Sequence, residues 1–156
     1  MAWRLSTGMR NALLDTGSLK GILANGQIRI YTGTQPANAD AGETGTLLCT
    51  ITLASEEMTS GVATNGINLG TAADGSVGKA DGEVWSGVNS DGGTAGWFRW
   101  YPNDFGDHTG AATGGDKIRI DGNCATSGGQ MNLSSTSLTA DVTTTVDNVV
   151  ITMPAS

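Results

Sequence analysis

Turn-forming residues punctuate almost the whole chain, and that punctuation limits what it can fold into. Beyond residue 26 they recur as Thr34-Gln35-Pro36, Asp40-Ala41-Gly42, Asn65-Gly66, Asp74-Gly75, Asp91-Gly92-Gly93, Gly114-Gly115-Asp116, Asp121-Gly122 and Gly128-Gly129. Each cluster supplies residues that tolerate positive φ or bond their own backbone in a turn. Between the turns run short segments rich in Thr and Val. Ile28 and Ile30 alternate with Arg29 and Tyr31, and Leu47, Cys49, Ile51 and Leu53 alternate with Leu48, Thr50 and Thr52. That period of two marks half-buried strands. Further strands are expected over 65–69, 83–88, 96–101, 117–120, 130–133, 137–140 and 142–153. The last is long enough for two, with Val149, Ile151 and Met153 on one face. Many short strands without helical crossovers exclude a doubly wound α/β sheet. They predict an all-β fold, an antiparallel β-sandwich or jelly-roll-like body.

Residues 1–26 read differently. Leu5, Met9, Ala12 and Leu13 fall at helical spacing. Ser18 can cap a second short helix through Leu19, Ile22 and Leu23, ended by Asn25-Gly26. The chain therefore divides into 1–26, with one or two short helices, and 27–156, the β body. Charge divides similarly. Residues 1–35 carry Arg4, Arg10, Lys20 and Arg29 against Asp15, whereas residues 36–156 carry 4 basic and 14 acidic groups. A basic helical piece on an acidic body reads either as an attachment segment or as a cap packed on the sheet.

Composition closes off several classes of function. The net charge of −7 over 156 residues argues against a partner held by neutralising phosphates, so no nucleic acid is expected. No apolar run is long enough to cross a membrane as a helix, and the first ten residues lack a secretory h-region. Cys49 and Cys124 read as semi-buried thiols or as one inter-strand disulfide. With His108 the single histidine, they form no metal site.

The remaining motifs carry little chemistry. Asp104-Phe105-Gly106 spells a kinase tripeptide, but no other kinase element accompanies it. Asp104, Asp107 and His108, or Asn89 with Asp91, fit a calcium loop only in fragments, and a solvated acidic loop is the better reading. His108 has no nucleophile elbow near it in sequence. No catalytic residue, cofactor or metal is assigned. The densest signal is aromatic: Trp85, then Trp97 to Tyr101. On a strand Trp97, Arg99 and Tyr101 share one face, and Phe98 and Trp100 the other. Either both faces are buried, or one presents an aromatic platform to a neighbour or a sugar, with Trp85, Trp100 or Tyr101 as the stacking groups.

Two blocks of sequence carry a resemblance. The first runs from Arg4-Leu5-Ser6-Thr7-Gly8-Met9-Arg10 through Gly17-Ser18-Leu19-Lys20 and Ile28-Arg29-Ile30-Tyr31 to Thr44-Gly45-Thr46-Leu47-Leu48. The second joins Gly96-Trp97-Phe98-Arg99, Arg119-Ile120-Asp121-Gly122 and Met131-Asn132-Leu133-Ser134-Ser135. Together they resemble small structural proteins of tailed-bacteriophage virions. The resemblance implies a non-enzymatic virion component, assembled in the host cytoplasm, that contacts major capsid or neck and tail proteins. It also implies closed homo-oligomers such as trimers. Capsid decoration or cement is the role expected first; collar, neck or tail-fibre attachment and a carbohydrate-binding adhesion module are the alternatives. The interface is expected at Leu5, Met9, Arg10, Leu13, Leu19, Ile22 and Leu23, together with Trp97, Trp100 and Tyr101.

Overall fold

A computed structural model describes residues 3–155. In chain order the elements are β1 (Arg4–Leu5), α1 (Thr7–Asp15), α2 (Leu19–Ile22), β2 (Gln27–Thr32), β3 (Leu47–Leu53), β4 (Ser76–Gly78), β5 (Trp85–Val88), β6 (Gly93–Tyr101), a 3-10 turn (Phe105–His108), β7 (Ile120–Ala125), β8 (Met131–Leu133), β9 (Ser137–Leu138) and β10 (Thr143–Thr152). The β-dominant class expected from the turns holds, but the architecture is a closed barrel and not a sandwich. Seven strands close it in the order β2-β3-β5-β10-β8-β7-β6, with β6 pairing both β7 and β2. Strands β1, β4 and β9 extend the wall at its rims.

Register explains the interior. Ile28 lies opposite Ile51 on one side and Trp100 on the other, and Trp100 lies opposite Ile120. The next inward layer joins Cys49, Ile30, Phe98 and Gly122. These side chains are almost fully buried, and the strand alternation puts all of them on the inner wall. Asp121-Gly122, expected as a turn, instead sits inside β7. A Cβ on Gly122 would meet the Phe98 ring at 2.7 Å, so glycine there makes room for the aromatic ring.

Other expected elements shift for local reasons. The 142–153 segment is one strand, not two. A bulge between Val146 and Asn148 resets its alternation, so that Val146 and Val149 both point inward. Residues 65–69 make only isolated bridges, Gly26 to Ile67 and Leu69 to Lys79. The strand expected at 117–120 begins only at Ile120. Leu5, expected in the first helix, belongs to β1. The helix begins after Ser6, whose hydroxyl accepts from the Met9 amide at 3.1 Å. The second helix matches its expected cap, Ser18 accepting from the Gly21 amide.

The N-terminal residues are built into the body. Strand β1 pairs with β7, Arg4 opposite Asp121 and Leu5 opposite Ile120. Met9 of α1 and Leu23 after α2 belong to the fully buried core.

Candidate functional site

The outer wall of β2, β6 and β7 carries the strongest concentration of polar chemistry. One row across it reads Thr50, Arg29, Arg99, Asp121 and Arg4. Two long segments, 33–46 and 102–119, lie over part of that row and seal Arg99 and Asp121 from solvent. Arg99 donates Nε to Asp121 Oδ1 at 2.6 Å and Nη2 to Oδ2 at 2.7 Å. Its Nη1 donates to Glu43 Oε1 at 3.2 Å, and the Tyr101 hydroxyl donates to the same oxygen at 2.6 Å. Burial alone would lower the Arg99 pKa; the facing Asp121 carboxylate reverses that and holds the guanidinium charged. Burial, and then the neighbouring Tyr31, push the Tyr101 phenol well up.

Arg119 works differently. Its guanidinium is wrapped by backbone: it donates to the carbonyls of Ala39, Asp40, Ala41, His108 and Gly110 at 2.5–3.1 Å. Burial and the nearby Arg99 charge lower its pKa. Five carbonyls drawn from both covering segments converge on one side chain, so Arg119 ties those segments to each other and to β7. His108 adds a further tie. Its Nδ1 accepts from the Ile118 amide at 3.0 Å, which places the ring proton on Nε2, 3.1 Å from Asp104. The arrangement braces loops, and each of its charged groups, Arg99, Asp121, Glu43 and Arg119, has a structural partner.

The expected interface residues are divided by this structure. Met9, Leu23, Trp97, Trp100 and Tyr101 are at most 0% exposed. The protein's own core and loops cover them, which corrects their assignment to a partner surface. Trp97 stacks on Tyr31, ring centroids 4.6 Å apart, and Trp100 packs edge-on to Trp85 at 5.1 Å. An aromatic sugar platform at Trp85, Trp100 or Tyr101 is overturned by the same burial. Arg10 is exposed, and Leu5, Leu13, Leu19 and Ile22 are half-buried against the core. Cys49 and Cys124 are free and buried, Cys49 pushed up to about 12 by burial. Among the described residues no group of three or more His, Cys, Asp or Glu side chains is placed to hold a metal. Among the same described residues no helix is long and apolar enough to cross a membrane.

An apolar, unfilled part of the surface lies at one mouth of the barrel. Two adjoining recesses of about 260 and 140 Å³ share Leu19, Ile151 and Met153. Val77 closes one side, and Trp3 and Leu5 the other. Met153 is 56% exposed, and on α1 Leu14 is 89% exposed. Thus the N-terminal segment does border an apolar surface, through Trp3, Leu5 and Leu19.

Sequence reasoning missed Arg99, Asp121, Glu43 and Arg119 as a unit. Arg119 and Asp121 are two residues apart, but Arg99 and Glu43 reach them only through the β6–β7 pairing and the covering segment that folds over it. No protein-family profile, curated protein or solved structure matches the chain.

Proposed function

We propose that the chain is a non-enzymatic structural protein of a tailed-bacteriophage virion, acting as a capsid decoration or cement protein. The observation that carries this reading is the apolar barrel mouth rimmed by Trp3, Leu5 and Leu19, on a body whose buried charges are committed to internal bonds. A braced barrel with one adhesive end suits a part that must hold its shape while seated on a lattice, where repeated weak contacts add up. The resemblance of the Arg4–Leu48 and Gly96–Ser135 blocks to phage structural proteins motivates the context. In this reading the partner is a neighbouring virion subunit, and it seats apolar side chains in the mouth.

Quantitative mass spectrometry of purified virions tests the reading directly. Hundreds of copies per particle support a shell position. A dozen or so place the protein at the collar, neck or tail instead. Absence from virions removes the reading altogether. A second arm uses Met153→Glu, at an exposed position lining the mouth. The variant is expected to keep its melting temperature and lose incorporation.

A further inference from the structure

A second concavity lies on the open part of the outer wall, away from the barrel mouth. It measures about 340 Å³ and is lined by Arg29, Thr50 and Thr52, with Phe105 and the carboxylates of Glu56 and Glu57 also in its walls. That volume is at the low end of small-molecule pockets, roughly 300–1,000 Å³. Three features set it apart from an incidental surface dent.

First, Arg29 is held in place. Its guanidinium sits 5.2 Å from the Tyr101 ring centre and 5.5 Å from that of Phe105. The Gln27 amide oxygen accepts from its Nε at 3.0 Å and Nη2 at 3.1 Å, in the amide orientation that satisfies both groups. Second, Arg29 is half-buried, yet among the described residues no carboxylate lies within ion-pair distance of it. The other arginines of this wall are engaged: Arg99 by Asp121, Arg119 by backbone carbonyls, and Arg4 by the Gln35 and Pro36 carbonyls. A fixed, partly desolvated guanidinium that shares the groove with Glu56 and Glu57 but pairs with neither is suited to a planar anion, and above all to a carboxylate held by two parallel hydrogen bonds.

Third, the wall beside it is strained. Ala54 and Ser55 take φ values of 53° and 63° in a tight turn closed by the Glu56 amide donating to the Leu53 carbonyl at 3.0 Å. Such a turn ordinarily calls for Asn-Gly. Here three other bonds impose it: Ala54 amide to Val84 carbonyl at 2.7 Å, Ser55 hydroxyl with Ser86 hydroxyl at 2.8 Å, and Thr52 hydroxyl to Glu56 carbonyl at 2.6 Å. Backbone held in a costly conformation by its surroundings collects at binding sites.

From these we infer that the groove binds a carboxylated saccharide, a uronic or sialic acid residue. The carboxylate sits on the free edge of Arg29. Ring hydroxyls meet Thr50 and the Glu56 carboxylate, and the apolar face of the ring lies towards Phe105. The inference stands independently of the barrel mouth and of the virion placement.

Chemical-shift mapping of the full chain with four probes tests it: glucuronic acid, N-acetylneuraminic acid, glucose and acetate. Saturable shifts at Arg29, Thr50 and Ser55 with the acidic sugars are expected, with glucose and acetate each roughly tenfold weaker or worse. Arg29→Gln is expected to abolish the acidic-sugar response, and Arg29→Lys to weaken it, because an ammonium cannot make the paired contact. Unchanged amide spectra elsewhere show that both variants fold. Acetate binding as well as glucuronic acid would overturn the saccharide. Equal binding of glucose, no saturable shift at the groove, or full binding by Arg29→Gln would overturn the site.

Discussion

Ser6 shows how much one hydroxyl can settle. It accepts from the Met9 amide and from the Arg119 amide, both at 3.1 Å, and donates to the Lys117 carbonyl at 2.7 Å. It caps a helix and joins that helix to a segment more than a hundred residues away. Ser6→Ala is expected to cost about 1–3 kcal/mol, since a lost cap is compounded by buried groups left without partners; urea unfolding measures it. The Arg99–Asp121 pair makes a sharper contrast. Asp121→Asn removes the fully buried counter-charge of Arg99, leaving only the more exposed Glu43, and is expected to destabilise by about 3–5 kcal/mol. The double replacement Arg99→Met with Asp121→Leu is expected to recover most of that loss, as buried ion pairs often contribute little net stability. If the double variant falls as far as the single, the network is worth more than its charges.

At the scale of elements, the sequence was legible wherever a rule acts locally. The alternation of 27–32 and 47–53 appears as β2 and β3, and Ser18 caps α2 as its position suggested. What failed was long-range. The Trp97–Tyr101 strand gave no sign of which face meets water, because that depends on residues 33–46 and 102–119 folding over it. Asp121-Gly122 looked like a turn because its partners, Arg99 and the Phe98 ring, come from the neighbouring strand β6, more than twenty residues earlier. The sandwich expectation failed for a similar reason: alternation specifies a buried face for each strand, but not whether the sheet closes on itself. The fit between α1 and the covering segment is also invisible locally. Gly8 packs directly on the Lys117 carbonyl, and a Cβ there would also lie 2.6 Å from the Gly115 carbonyl. Gly8→Ala, helpful in an ordinary helix, is expected here to destabilise by about 1–3 kcal/mol, read as a lower melting temperature.

For the whole molecule, acid is the predictable weakness. Burial works to raise the carboxyls of Asp40 and Glu43, but hydrogen bonds from Thr7 and Tyr101 respectively outweigh it and hold both below their ordinary values of 3.8 and 4.5. A carboxylate whose pKa is lower folded than unfolded adds stability that is complete above its ordinary pKa and is lost as pH falls through the folded one. Melting temperature is thus expected to hold from neutrality to about pH 5 and to drop steadily below that. Asp40→Asn with Glu43→Gln should flatten the decline. Removing residues 1–26 is expected to abolish cooperative unfolding, since Met9 and Leu23 leave the core and β7 loses a neighbour. A shortened chain that still melts sharply would show the barrel to be independent of its N-terminal piece.

The seam of the barrel bears on how the protein is made. Strand β10 pairs with β4, β5 and β8, so one stretch near the end of the sequence holds three earlier strands together. While a ribosome is still adding residues 143–152, β5 and β8 have an open side. The wall cannot close, and the inner aromatic rings have no complete shell around them. Folding must wait for distant partners, which is slow compared with local pairing. A product cut short by even those few residues keeps exposed strand edges, the feature by which quality control and proteolysis distinguish unfinished chains. Closure by β10 thereby decides whether the edges of β5 and β8 are hidden or left open.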